Sequence, residues 1–300
     1  MKRYIYLGFF GLILVAGCKS TYKQKDMQAS FPSFSAEAHR GGRGLMPENT
    51  ILAMLDAMKY GNITPLEMDT HISKDNQVVV PHDDYLSPGF MLTPEGNEIP
   101  AADAKKYAVY QMNYDELKKF DIGTKFHTGF PQQKKIKTYI PLLAELIDSV
   151  QAEIKASGKK QRFYNIETKC GPKGDGVVNP SPEVFVKLLM VVIVQKKITP
   201  FVVIQSFDKR TIQIINKKYP KVKTSFLVSN KKSYDENIAD LGYKPFIYSP
   251  EWKLVDEQLI SKAHADGVKV IPWTANTKED IDHLRALKVD GIITDYPNLL

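Results

Sequence analysis

The sequence predicts an α/β fold, a (β/α)8 or TIM barrel with an insertion after an early β-hairpin. Three observations predict it. Short apolar or β-branched runs alternate with segments of helical period, the pattern of βα units laid on a parallel sheet. The strand candidates number nine, one more than the barrel needs, and one of them is spared as the arm of a hairpin. The composition, 43% hydrophobic and 25% charged over 300 residues, is that of a globular chain with a large core. Few architectures other than this barrel make one domain of about 250 residues.

The first element is a leader. "MKRYIYLGFFGLILVAGC" has a basic start, an apolar run from Tyr4 to Val15, and then Ala16-Gly17-Cys18. The run is short for a bilayer span and fits a secretory signal. Val15-Ala16-Gly17-Cys18 has the form of a bacterial lipobox, in which small residues fit the peptidase cleft and the Cys18 thiol accepts lipid. Residues 1–17 are therefore expected to be a lipoprotein signal peptide. Lipidated Cys18 then begins a polar tether over 18–34, and 35–300 form the barrel domain. The expected location is the bacterial cell envelope, exported and lipid-anchored to a membrane, periplasmic or surface-facing. With Cys18 committed to lipid, Cys170 is left without a disulfide partner. Losing Lys2 and Arg3 takes the net charge from +7 to +5. That excess suits a small anionic substrate or an anionic surface, and the chain lacks the long Lys/Arg run expected for nucleic acid.

The strand candidates are Ala36–His39, Pro65–Thr70, Gln77–His82, Phe163–Thr168, Phe201–Gln205, Lys223–Val228, Phe246–Ser249, Lys269–Trp273 and Gly291–Thr294. Amphipathic helices are expected in "NTILAMLDAMKYG", "PLLAELIDSVQAEIKASG", "PEVFVKLLMVVIVQKK", "KRTIQIINKKYP", "DEQLISKAHADG" and "KEDIDHLRALKVD", several of which stop at Gly or Pro. Only "ISKDN" separates the second and third strands, too little for a parallel crossover, so these two form the hairpin. With the turn near Asp75, residues whose numbers sum to about 150 face each other, which places His82 beside Glu67–Met68. Residues 83–139 break the βα rhythm. Rich in Tyr, Pro, Gly and Lys, with one short helix around Tyr114–Phe120, they read as an ordered, aromatic lid inserted over one end of the barrel.

In such a barrel the C-terminal strand ends converge on the site. His39 and Arg40 close the first strand. Glu67 and Asp69, two apart on the second, point to one face, and Glu167 and Lys169 repeat that spacing. With His82 from the hairpin, two histidines, three carboxylates, a lysine and an arginine gather at one mouth. Three carboxylates repel unless something neutralises them, and oxygen-only ligands favour one hard divalent cation, Ca²⁺ or Mg²⁺. Two imidazoles with cations beside a metal suit hydrolysis of a phosphate ester, one taking a proton from the nucleophile and the other giving one to the leaving alkoxide.

The blocks "HRGG…PENT", "LEMDTHISKDNQVVVPHD", "YNIETK", "VVIQSFD", "IPWTAN" and "VDGIITDYP", together with "FPQQKKIKTYIPLLAELID", resemble in order those of the glycerophosphodiester phosphodiesterases, from about Ala38 to Pro297. The resemblance implies a small anionic glycerophosphodiester as substrate, with sn-glycerol 3-phosphate and an alcohol as products. It implies His39 and His82 as the acid/base pair, Arg40 on the phosphate, and Lys169 on it or nearby. Glu67, Asp69 and Glu167 would hold the metal, and Gln205, Phe207 and Trp273 would line the pocket. Asp295 would either fix neighbouring backbone or touch substrate. Arg43-Gly44-Leu45-Met46 lengthens the glycine turn relative to a minimal pattern and would alter phosphate approach.

The turn itself has a physical reading. Glycines after the first strand let backbone approach a phosphate while Arg40 neutralises it. Pro47 and Glu48 are then expected in the first turn of the following helix, with support of the metal site as the other role for Glu48. Two alternatives stand beside the hydrolase: a phospholipase-like phosphodiesterase acting on intact lipids, and a non-catalytic surface lipoprotein that binds glycerophosphate polymers or sugars.

Overall fold

Eight parallel strands make the wall of the molecule: β1 (Ser35–Ala38), β2 (Ile63–Ile72), β4 (Phe163–Thr168), β5 (Val202–Ser206), β6 (Lys223–Val228), β7 (Ile247–Pro250), β8 (Lys269–Val270) and β9 (Gly291–Thr294). The computed structural model describes Met1 and residues 29–300, so the leader and Cys18 lie outside the described residues. Hydrogen-bonded neighbours run β8-β7-β6-β5-β4-β2-β1-β9. Individual backbone bonds across the remaining seam close the ring. The Asp290 N–H donates to the Val270 carbonyl at 2.9 Å, Ile293 to Pro272 at 3.0 Å, and Ala275 to Ile293 at 3.2 Å.

The ninth strand, β3 (Val78–Val79), pairs antiparallel with β2, matching Ile72 to Val78 and His71 to Val79. This is the expected hairpin and register, but the pairing is shorter than expected and His82 is not in it. The Val80 N–H turns instead to the Pro141 carbonyl at 3.1 Å, and Pro81 has no N–H to offer. The last-but-one strand is also shorter than the sequence suggests, because Pro272 interrupts its ladder. Trp273 still bridges to Glu251.

Helices α1 (Ile51–Ala57), α3 (Leu143–Ser157), α4 (Pro182–Gln195), α5 (Lys209–Lys218), α6 (Tyr234–Leu241), α7 (Glu257–Ala265) and α8 (Lys278–Ala286) cover the outside. Thr50, Ser181, Asp208, Ser233, Asp256 and Thr277 each accept a first-turn N–H at a helix start, worth about 1 kcal/mol apiece. Thr50 is the cap of α1, so Pro47 and Glu48 precede that helix and are not in its first turn. Helix α6 is absent from the amphipathic segments picked out above, although its Ser233–Glu236 capping box is a legible start signal.

Alternation along the strands separates two cores. Outward residues such as Leu66, Met68, Ile166 and Ile204 pack beneath the helices with Phe185, Leu189 and Ile212. Inside the ring, Val203, Ile247, Ile271 and Ile293 fill the lower part, with Phe31 and Phe246 beside them. The long connection between β3 and α3 includes α2 (Tyr114–Leu117) and has a core of its own, in which Leu86, Phe90, Val109, Leu117, Phe120 and Ile140 are buried. Of its aromatics Phe126 and Tyr139 are exposed.

Leu117 is fully buried in that separate core. Leu117→Ala is expected to cost about 2–5 kcal/mol. Denaturant titration measures the loss, and hydrogen exchange should localise it to the connection and leave the protection of the barrel strands in place.

Candidate active site

The register of the parallel ladder assembles the acidic cluster. Glu67 lies beside Asn165, Asp69 beside Glu167, and Glu167 beside Gln205 on adjacent strands. All point into the ring, and Asp69, Glu167 and Gln205 sit in the C-terminal half of their strands. Ligand oxygens of Glu67, Asp69 and Glu167 come within 4.8 Å of one another, and all three residues are buried. Burial and the Asp69 charge push Glu67 well above the usual carboxylate range. Burial pushes Glu167 up as well. Burial opposes the ionisation of Asp69 too, but Lys169, His82 and Arg40 outweigh it and hold Asp69 well below that range.

Each carboxylate is tied down by a different segment. Glu67 accepts the Arg40 backbone N–H at 2.7 Å and the Gln205 amide at 2.8 Å. Asp69 accepts the Asn49 amide at 2.8 Å. The Lys169 ammonium sits 2.9 Å from Glu167 and 3.2 Å from Asp69. The buried Asp69 Oδ1 has that ammonium as its neighbour and no other donor. An all-oxygen donor set of three buried carboxylates fits a hard divalent cation. Gln205 passes the restraint inward: its Oε1 accepts from Asn165, whose amide also donates to Glu37 at 2.7 Å. Burial pushes that Glu37 carboxyl up to about 7, against the hydrogen bonds from Asn165 and Ser35.

The turn after β1 supplies cations. Arg40 has φ 51°, the left-handed region that non-glycine residues seldom adopt. The conformation aims its N–H at Glu67 while its buried guanidinium meets Glu48 at 2.8 Å and Asp69 at 3.3 Å. Gly41 follows at φ 77°, where a Cβ would stand 2.7 Å from that of Ala53. Glu48 therefore serves the site through Arg40 and does not act in the first turn of α1.

Both histidines are oriented by carboxylates. His39 Nδ1 meets Asp295 at 2.6 Å, and His82 Nδ1 meets Asp83 at 2.6 Å, which leaves Nε2 of each ring for exchange. Their surroundings differ. His39 and Asp295 are 13% and 1% exposed, whereas His82 and Asp83 are 29% and 49% exposed. Burial pulls His39 down to about 4 even though Asp295 favours its charged form, so the ring is neutral near pH 7. Burial pushes the Asp295 carboxyl up, but His39 and Arg43 outweigh it and Asp295 stays ionised. His71, buried beneath, donates from Nε2 to the His82 carbonyl at 3.0 Å and fixes the loop that carries His82.

One cavity of about 400 Å³ is lined by His39, Arg40, Glu67, His82, Glu167, Lys169, Gln205, Phe207 and Trp273, with Arg43 and Leu227 at its wall. Every site residue expected from the sequence is thus at one mouth, Asp69 lying just behind the wall, apart from Cys18, which is outside the described residues. Phe207 is exposed and meets Trp273 edge-on at 5.4 Å, while the indole N–H of Trp273 donates to the Ser249 carbonyl. These two rings form the apolar lip. A groove of about 700 Å³ shares Glu167, Lys169 and Phe207 with the cavity and continues past Asp84, Tyr85, Lys173 and Val177.

Sequence reasoning missed the role of Asp295 on His39, Asn49 on Asp69, and His71 beneath His82. It also left Arg43 as a turn-lengthening residue. In the structure Arg43 pairs with Asp295 at 2.8 Å, lies over the Phe130 ring at 4.5 Å, and adds a cation to the mouth. Strand-end position was the available signal for Asp295, since it follows β9 as His39 follows β1.

A model of the glycerophosphoryl diester phosphodiesterase family matches residues 39–299. A glycerophosphodiester phosphodiesterase of Caldanaerobacter subterraneus subsp. tengcongensis is 30% identical over 263 residues, 88% of this chain and 94% of its own. One of Bacillus altitudinis is 27% identical over 271 residues, 87% and 94% of the two chains. Among solved structures, a candidate glycerophosphoryl diester phosphodiesterase from Silicibacter pomeroyi DSS-3 superposes with a TM-score of 0.78 at 26% identity, covering 90% of this chain and 93% of that one.

The carboxylate cluster generates a direct expectation. Ca²⁺ or Mg²⁺ at a hundred times its dissociation constant should stabilise the fold by about 2.7 kcal/mol, read as a rise in Tm. Glu167→Gln should weaken that binding at least about tenfold, since it removes one of three charges.

Proposed function

The chain belongs to the glycerophosphoryl diester phosphodiesterase family, and from that premise we propose that it hydrolyses glycerophosphodiesters to sn-glycerol 3-phosphate and an alcohol with one divalent cation and two histidines. Family membership over 39–299 makes it an enzyme, and the binding-only alternative loses its ground. The observation that carries the mechanistic reading is the pair of carboxylate-held histidines on one cavity with the acidic triad.

Glu67, Asp69 and Glu167 would hold Ca²⁺ or Mg²⁺, which when bound neutralises charge on the phosphoryl oxygens. Arg40 and Lys169 add positive charge from the protein side, and Arg43 does so at the rim. His39 is the base. Neutral and fixed by Asp295, it takes a proton at Nε2 from the attacking oxygen, whether that is the substrate's own glycerol hydroxyl or a water. His82 is the acid: its more exposed loop position adjoins the groove by Asp84 and Tyr85, where the departing alcohol would lie, and its Nε2 donates a proton of its own to the leaving oxygen. Gln205 holds Glu67 in place, and Phe207 and Trp273 pack against the carbon skeleton of the substrate.

The chain is exported and anchored to the bacterial cell envelope through lipidated Cys18. The leader and its Val15–Cys18 motif support this reading.

His39→Ala or His82→Ala should each lower kcat on glycerophosphocholine by at least about 100-fold with cation binding kept. A variant that turns over at the full rate removes that ring from the mechanism. EDTA should abolish activity, and added Ca²⁺ or Mg²⁺ should restore it. Faster turnover of intact lipid in micelles than of soluble diesters would favour the phospholipase-like alternative.

His39 must be unprotonated to act, so the acid limb of kcat/KM should lie nearer its folded value of about 4 than an ordinary histidine's 6.5. Asp295→Asn removes the anion that favours the proton. It should move that limb to lower pH while cutting kcat by about 10²–10⁴ through lost ring orientation.

A further inference from the structure

The opposite end of the barrel carries a second pocket, of about 770 Å³, formed by the segments that lead into β1, β2 and β4. Lys59, Lys159, Lys160 and Arg162 line it, and no carboxylate does among the described residues. Asp56 and Glu153 lie nearby and pair with Lys59 at 2.7 Å and Lys159 at 3.3 Å. Lys160 has no ion pair among the described residues.

Arg162 is the unusual member. It is 5% exposed, yet its guanidinium donates only to backbone, to the carbonyls of Ile63 and Met58, and Nε has no partner. A buried guanidinium normally faces a carboxylate, because an uncompensated charge is expensive to desolvate. A phosphate offers the complementary planar pair of oxygens.

The chain itself says which way this face looks. Phe31, another lining residue, sits edge-on to Phe163 and Phe246 with ring centroids 5.2 Å away in each case, and so pins the incoming chain at this end. Twelve positions separate Cys18 from Ser30, at most about 40 Å of extended backbone. The pocket therefore lies beside the segment that leads to the lipobox, on the far side of the barrel from the catalytic mouth.

We propose that this pocket binds a phosphate group, either the headgroup phosphate of an anionic phospholipid or a free phosphate. Lys59, Lys159 and Lys160 form its rim and Arg162 its floor. A lipid headgroup bound there would seat the barrel with its mouth away from the bilayer. The proposal goes beyond the catalytic reading and is tested separately from it.

The test is lysine-reactivity footprinting of the full chain, with Lys253 at the mouth as internal reference. Acylation of Lys160 is followed on phosphatidylcholine vesicles with and without phosphatidylglycerol, and in detergent solution with and without inorganic phosphate. Slowing of at least about threefold relative to Lys253 is expected from the added charge–charge contact. Slowing by phosphatidylglycerol alone assigns the lipid headgroup, and slowing by inorganic phosphate as well assigns any accessible phosphate. Lys160→Glu, an exposed and foldable change, should abolish the matching protection of Lys59 and leave glycerophosphocholine hydrolysis unchanged. Absence of glycerophosphocholine hydrolysis in the wild-type chain, with its Lys160 protection intact, counts against the catalytic reading alone. No slowing with either anion, or equal slowing at Lys253, overturns the pocket.

Discussion

Three carboxylates buried within 4.8 Å of one another are the constraint around which this mouth is built. Two like unit charges 4 Å apart repel by about 4 kcal/mol at an effective dielectric near 20, before any penalty for leaving water. The chain answers with groups drawn from separate elements: the backbone and guanidinium of Arg40, the amides of Asn49 and Gln205, and the ammonium of Lys169. Arg40 shows how far local geometry yields to this demand. Its left-handed backbone costs about 1–3 kcal/mol, and with it one residue both donates an N–H to Glu67 and sets a cation between Glu48 and Asp69. Gly41 beside it follows from the same packing, because the start of α1 leaves no room for a side chain.

The two histidines share a ligand pattern and differ in solvent. Each has Nδ1 on an aspartate, which leaves Nε2 as the ring atom able to exchange a proton. His39 is largely buried beside Asp295, and its burial favours the neutral ring. His82 stands on a loop whose next residues line the open groove. Similar imidazoles in unlike surroundings are thereby suited to the two different proton-transfer roles that the proposed mechanism requires. In the proposed mechanism the base would stand on the drier side, where burial keeps its lone pair available, and the acid beside the open groove.

Much of this was legible in the sequence because a parallel ladder converts spacing into position. Glu67 with Asp69, and Glu167 with Lys169, alternate in step, and a (β/α)8 ring brings all strand ends to one mouth. Register arithmetic on the hairpin likewise gave the correct facing pairs at His71 and Ile72. What it could not give was where pairing stops. Pro81 and the turn of Val80 toward Pro141 are tertiary choices, and they put His82 on a loop. The partners that orient the site were harder still. Asp295 lies 256 positions from His39 and meets it only when the ring closes. Asn49 reads as part of a helix start until Thr50 takes the cap and frees the amide for Asp69. The composition of 83–139 pointed to an ordered insertion, and its packing around Leu117 depends on contacts no local pattern encodes.

The orientation of the molecule bears on which diesters reach the mouth. Phe31 stoppers the lower end of the ring among Phe163 and Phe246, so the segment that leads into β1 lies at the end where strands begin, while the carboxylates and histidines stand where strands finish. For an anchored chain those two ends are the near and far sides of the protein relative to the bilayer. A diester still embedded in the membrane would have to travel around the barrel wall to meet His39 and His82. A water-soluble diester would arrive directly, drawn by the cations of Arg40, Arg43 and Lys169. Phe207 and Trp273 give that mouth an apolar lip. If the chain is anchored through its N-terminal segment, as proposed, that geometry would favour soluble diesters over membrane lipids, because the segment enters at the opposite end of the barrel from the catalytic mouth.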